Sequence, residues 1–130
     1  MSRFLLDTSV LIDLGRGREP VTSRVLEMTD GNDEVGVCAV VVAEFYAGLP
    51  PSSRPRYEDF VGSLTYWDIS HGAAVRAGEY RYDFARRGQQ LSTTDALIAA
   101  VARDHRAILV TGNVKHYPMS DIEVLQLAPG

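Results

Sequence analysis

Three short polar clusters and one isolated carboxylate are the groups in this chain that could carry chemistry. Asp7-Thr8-Ser9 follows the apolar run Phe4-Leu5-Leu6, and Thr111-Gly112-Asn113 follows Ala107-Ile108-Leu109-Val110. Ser92-Thr93-Thr94-Asp95 precedes a segment that is apolar all round. Each cluster also has a purely structural use: Asp7 and Ser9 can cap a helix, and Asp95 can complement a helix dipole from the first turn behind a Ser92 cap. Capping does not explain Glu44. On a helix its neighbours three and four positions away are Val40, Val41, Ala47 and Gly48, so no polar side chain shares its face. An isolated ionised carboxylate in apolar surroundings neutralises or recruits a cation. The expectation is therefore a Glu44 that meets positive charge rather than open solvent.

Brought together, Asp7, Glu44 and Asp95 would repel one another unless positive charge stood between them. A divalent cation supplies that charge, and hard oxygen ligands without His or Cys select Mg²⁺, with Mn²⁺ able to substitute. Such a site activates water for in-line attack on phosphorus and stabilises the leaving oxygen. Thr111, Ser9 and Thr8 offer hydroxyls to the acids, and turn capping accounts for them equally well. A metal-free route would need paired acid–base groups, typically His. His71, His105 and His116 read instead as a helix start, a helix end and a loop, in unrelated settings.

The elements that must position these groups follow from periodicity and breakers. Phe4-Leu5-Leu6 reads as a strand, and Val10, Leu11 and Leu14 recur at helical spacing until Gly15 to Pro20 interrupts them. Val21, Val25, Leu26 and Met28 form a second helix ending in the turn Asp30-Gly31-Asn32-Asp33; Val35 to Cys38 is a second strand. Val40 to Leu49 is helical and stops at Gly48-Leu49-Pro50-Pro51. Ser52 or Ser53 can cap a helix carrying Tyr57, Phe60, Val61 and Leu64, and Tyr66 to Ile69 is a third strand. Gly72 to Arg87 is amphipathic with Ala74, Val75, Gly78, Tyr82 and Ala85 placed inward; Ser92 opens a helix to about Arg103. Arg86 and Arg87 near a helix C-terminus are assigned to its dipole. Ala107 to Val110 and Ile122 to Leu125 complete the strands. Alternating strands and helices without hairpin signals predict an α/β fold, a parallel sheet with helices on both faces. In such sheets ligands bind at the carboxyl ends of the strands, where Asp7 and the Thr111 cluster fall.

Composition narrows the function classes. With 130 residues, 45% of them hydrophobic, a formal net charge of −4 and no repeat, the chain is read as one domain over 1–130 and not as a disordered segment. The acidity argues against standing, non-specific nucleic-acid binding, but two divalent cations would offset it, so a phosphodiester substrate stays open. Lys115 is the one lysine among 13 basic residues, the rest being Arg. No apolar run approaches the roughly 18 residues of a membrane helix, and Asp7 precedes any signal-peptide core, so a cytoplasmic protein without membrane association is expected. Cys38 is the single cysteine, read as a small buried hydrophobe in a strand.

Four segments taken together, Leu5 to Ile12, Val42 to Leu49, Thr94 to Ala100, and Leu109 to Asn113 with His116-Tyr117, closely resemble the PIN-domain family, specifically the VapC toxins of bacterial toxin-antitoxin pairs. The likeness covers essentially the whole chain. It implies a three-layer α/β/α sandwich on a central parallel sheet of about four to five strands. It also implies a metal-dependent endoribonuclease that cuts tRNA, rRNA or mRNA, with Asp7, Glu44 and Asp95 as metal ligands and catalytic acids. A cognate VapB-type antitoxin and a homodimer or higher assembly complete the implied partners. Many relatives carry a fourth acid where this chain has Asn113, whose amide can ligate or orient water but brings no charge. Asp121 lies outside the matching motifs and is left out of the site. Metal-activated water, not a 2′-hydroxyl, is the expected nucleophile, giving 5′-phosphate and 3′-hydroxyl ends.

Two other classes compete. Aspartyl-phosphate proteins share an acidic Mg²⁺ pocket, but the phosphatase pattern needs a second Asp two residues after the first, and position 9 is Ser. A PIN-fold module that binds RNA or antitoxin without catalysis has Asn113 as its one support.

Overall fold

Five short apolar runs pair side by side as parallel strands in the computed structural model, which describes residues 1–130. They are β1 (Arg3–Leu6), β2 (Glu34–Cys38), β3 (Thr65–Trp67), β4 (Ile108–Thr111) and β5 (Val124–Gln126), in the order β3-β2-β1-β4-β5. Six helices connect them: α1 (Thr8–Gly15), α2 (Val21–Asp30), α3 (Ala39–Ala47), α4 (Arg54–Ser63), α5 (His71–Ala85) and α6 (Thr93–Asp104). Adjacent strand residues point to opposite faces, and Leu5 and Leu6 are both 0% exposed, as are Leu109 and Val110. Both faces of the sheet are therefore covered, which gives the three-layer α/β/α sandwich the sequence led us to expect. No helix is long and apolar enough to cross a membrane.

The topology fixes where a site can form. From β1 the chain steps outward to β2 and β3, then crosses back to β4 and on to β5. The order reverses between β1 and β4, whose registers pair Leu5 with Leu109 and Leu6 with Val110. Loops leaving adjacent strands on either side of a reversal diverge and open a crevice at the carboxyl ends. Asp7 and Thr111 sit at that crevice.

Several local expectations are corrected. β3 ends at Trp67 and not Ile69, because its partner β2 ends at Cys38, opposite Trp67. Ser52 and Ser53 form a 3₁₀ turn with Pro51, and neither side chain caps α4. The last strand starts two residues later than Ile122 and runs to Gln126. The largest correction concerns α5, which buries Ala73, Ala77, Tyr80 and Phe84. The stripe expected to face inward is outside, with Val75 49% and Tyr82 60% exposed. Both stripes are apolar and helically spaced, so periodicity could not choose between them. Tertiary packing chooses the stripe that α5 lays against α6, which also brings the Tyr80 hydroxyl to donate to Asp121 at 2.8 Å.

Cys38 is buried at the end of β2, as expected, and burial raises its thiol pKa. Gly36 in the same strand is required by close approach: a Cβ there would lie 2.7 Å from Thr65 O and 2.7 Å from the Trp67 ring.

Candidate active site

Asp7 ends β1 and caps α1. Its backbone is extended, its N–H continues the ladder to Val110 O at 3.0 Å, and its Oδ1 accepts from Val10 N at 3.1 Å. The capping reading is thus correct, but it uses only part of the carboxylate. Ser9 Oγ donates to Oδ1 at 2.7 Å, Thr111 Oγ1 to Oδ2 at 2.5 Å, and Tyr117 Oη to Oδ2 at 3.3 Å. At 5% exposure Asp7 is a buried acid held by four donors from three parts of the chain. Its anchors are themselves tied: Gly112 N donates to Ser9 Oγ and Asn113 N to Thr111 Oγ1.

Asp95 arrives from α6. Ser92 Oγ accepts from Asp95 N at 3.1 Å, the expected cap, which leaves the Asp95 carboxylate free in the first turn. Its Oδ1 accepts from Tyr117 Oη at 3.4 Å, and its Oδ2 lies 3.5 Å from His116 Nδ1. One phenol therefore touches both Asp7 and Asp95. Burial and these two carboxylates push the Tyr117 phenol well above the ordinary range, so the hydroxyl keeps its proton and acts as donor. The dipoles of α1 and α6 offset part of the negative charge at their N-termini.

Glu44 stands differently from the expectation. Its residue is exposed on α3, and its partner is Thr8 on α1, whose Oγ1 donates to Oε1 at 2.6 Å. Of its neighbours on the α3 face, Val41 is fully buried in the core, while Val40 is partly buried and Ala47 and Gly48 are exposed, so Glu44 stands where that face meets solvent. Glu44 is thus brought to the residue beside Asp7, not to Asp7 itself. Asn113 also sits apart from the acids: its side chain meets His116 Nε2 at 3.2 Å and joins none of them directly. His116 is consequently not in an unrelated setting. The 3₁₀ turn Val114–His116 after β4 carries its imidazole between Asn113 and Asp95.

Tyr117 and His116 are the site residues that residue-by-residue reading missed. Both lie in a quoted segment, but their partners stand 110, 22 and 21 positions away, a proximity only the sheet order creates. Asp121 pairs with Arg103 at 2.9 Å and with Tyr80, a structural arrangement that agrees with its omission.

The electrostatics of the crevice are unbalanced. None of the ion pairs gives Asp7, Glu44 or Asp95 a Lys or Arg partner. No three Asp, Glu, His or Cys side chains converge closely enough to form a metal cage by themselves. The donor set nonetheless fits a hard divalent cation in kind, because two carboxylates face one hydroxyl without a Lys or Arg partner, and the remaining neighbours are hydroxyls, an amide and the His116 imidazole.

An acidic crevice at the reversal point of a parallel sheet defines a class of α/β protein, and the comparison with known families identifies it. The PIN domain model matches residues 4–120, and the chain belongs to the PIN-domain family. Among curated relatives, ribonuclease VapC19 of Mycobacterium tuberculosis is 30% identical over 117 residues, covering 88% of this chain and 92% of the relative. Ribonuclease VapC2 of Haemophilus influenzae is 29% identical over 123 residues, covering 90% and 91%. Among solved structures, VapBC2 from Rickettsia felis bound to a promoter DNA fragment superposes with a TM-score of 0.86 at 20% identity, covering 97% of this chain and 99% of that one. This last likeness bears on the fold.

Proposed function

We propose that this chain is a VapC-type toxin, a divalent-metal-dependent endoribonuclease restrained by a VapB-type antitoxin and acting in the cytoplasm. The observation that carries the reading is the meeting of Asp7 and Asp95, from opposite parts of the chain, on the Tyr117 hydroxyl in a crevice without Lys or Arg counter-charge. The curated relatives support it, being named VapC ribonucleases that span almost the whole chain.

In this reading Asp7, Asp95 and Glu44 hold Mg²⁺ or Mn²⁺. When bound, the cation supplies activation of water and charge stabilisation at the scissile phosphate. The rest is work for the chain's own side chains. Ser9, Thr111 and the Val10 amide fix the Asp7 carboxylate, so it need not reorganise when substrate arrives. Thr8, next to Asp7 in sequence, holds Glu44 through its hydroxyl. His116, turned by Asn113, orients Asp95 and stands at the exposed rim where a phosphodiester would enter. Asn113 therefore acts through His116 and not as a fourth acid. The substrate is RNA, cut by hydrolysis, and the assembly is a homodimer or larger complex with antitoxin.

The test is the chemistry of the products. Cleavage should leave 5′-phosphate and 3′-hydroxyl ends and should tolerate 2′-deoxyribose at the scissile position; cyclic phosphate products would overturn the mechanism.

A further inference from the structure

The contacts around Asp7 are of two kinds. Thr111 and Ser9 donate at 2.5 and 2.7 Å, short bonds that anchor the carboxylate. Tyr117 Oη lies 3.3 Å from Asp7 Oδ2 and 3.4 Å from Asp95 Oδ1, beyond the usual range of about 2.5–3.0 Å for a hydroxyl donor. One phenol proton shared between two carboxylates holds neither tightly. The ring itself is fixed: Tyr117 is 4% exposed and belongs to the hydrophobic core. Packing, not its hydrogen bonds, therefore keeps the hydroxyl between the two acids.

We propose that Tyr117 is a built-in spacer, a neutral hydroxyl held between Asp7 and Asp95 that lowers their repulsion and competes with a divalent cation for the same two oxygens. The inference rests on the metal-site reading above and deepens it. Like-charged carboxylates without a partner are costly, and a fixed donor between them lets the empty chain fold without metal. The same donor must be outcompeted when the cation binds, so Tyr117 weakens the site while making it tolerable when empty. A phenylalanine at this position would reverse both effects. It keeps the ring and its packing and removes only the oxygen.

The experiment is calorimetric titration of Mg²⁺ and Mn²⁺ into the wild type, Y117F and D95N, with thermal melts of each protein in EDTA. Y117F is expected to bind the cation about fivefold more tightly than the wild type, the size of one ordinary hydrogen bond, and to melt lower in EDTA. The melting difference should shrink when the melts are repeated at saturating Mn²⁺. Wild-type binding that D95N loses and Y117F leaves unchanged or weaker would overturn the spacer alone. If the wild type binds neither cation, the assignment of Asp7, Glu44 and Asp95 as ligands falls, and the spacer falls with it. A Y117F chain that folds only with metal is the expected result in extreme form. One that folds in neither condition contradicts the proposal, because the hydroxyl would then be an anchor of the fold.

Discussion

Thr111 Oγ1 donates to Asp7 Oδ2 at 2.5 Å and ties the end of β4 to the end of β1 across 104 positions of sequence. The bond is buried and its acceptor is a carboxylate, so it belongs to the stronger class of hydrogen bonds, and losing the donor leaves a buried acid short of a partner. Thr111→Val keeps the shape of the side chain and removes the hydroxyl. It is expected to lower the unfolding free energy by about 2 kcal/mol, with Thr111→Ser recovering most of it. Urea denaturation measures this, and an unmoved midpoint in the valine variant would contradict the role given to Thr111.

His116 is exposed and contributes little packing, yet its ring joins Asn113 to Asp95. Its removal should therefore separate stability from activity. His116→Ala is expected to melt within about a degree of the wild type while kcat falls roughly tenfold, the scale of losing one positioning contact. A large loss of melting temperature with unchanged kcat would make His116 a structural residue.

Gly36 tests the sheet rather than the site. A methyl group there meets backbone and an aromatic ring at 2.7 Å, neither of which can yield cheaply. Gly36→Ala is expected to cost about 3 kcal/mol through forced displacement of β3. Trp67 is the chain's single tryptophan, so its fluorescence reports the displacement directly. A variant with wild-type emission and stability would contradict the close packing of β3 against Gly36.

The alkaline limb of the stability curve follows from three raised groups. Burial raises Cys38, and burial first, with carboxylate neighbours second, raises Tyr80 and Tyr117. In the unfolded chain these groups release protons near about pH 8.5 for Cys and about pH 10 for Tyr. Above those values the unfolded chain has lost protons that the folded chain retains, so stability falls as pH rises. The contribution is fully present below about pH 8. Melting temperatures should decline from there and drop steeply past about pH 10, and the steep part should flatten when Tyr80 and Tyr117 are both changed to Phe. A curve that stays level to pH 11 would contradict this.

Most of the fold was legible because each signal was local. Strand runs bounded by polar clusters, the Ser92 cap and the Gly48 stop are written in consecutive residues, and the parallel sheet follows from their alternation. Asp7 and Asp95 were legible as acids at strand and helix ends. The choice between two apolar stripes on α5 was not, because it depends on which face packs against α6, a tertiary relation that spacing within α5 does not carry. The exposure of Glu44 was not legible either: its partner Thr8 lies on another helix, invisible to spacing within α3. Tyr117 reads as a core aromatic and is one, and only the reversal of strand order places its hydroxyl between the two acids.

The central claim, that Asp7, Glu44 and Asp95 make a metal-dependent ribonuclease, is tested most directly by cleavage of end-labelled total RNA. Antitoxin-free wild type and Asp95→Asn are compared in Mg²⁺, Mn²⁺ and EDTA. Wild-type cuts that vanish both in EDTA and in the variant are the expected result. Cuts that persist in EDTA, or at wild-type level in Asp95→Asn, would contradict the account.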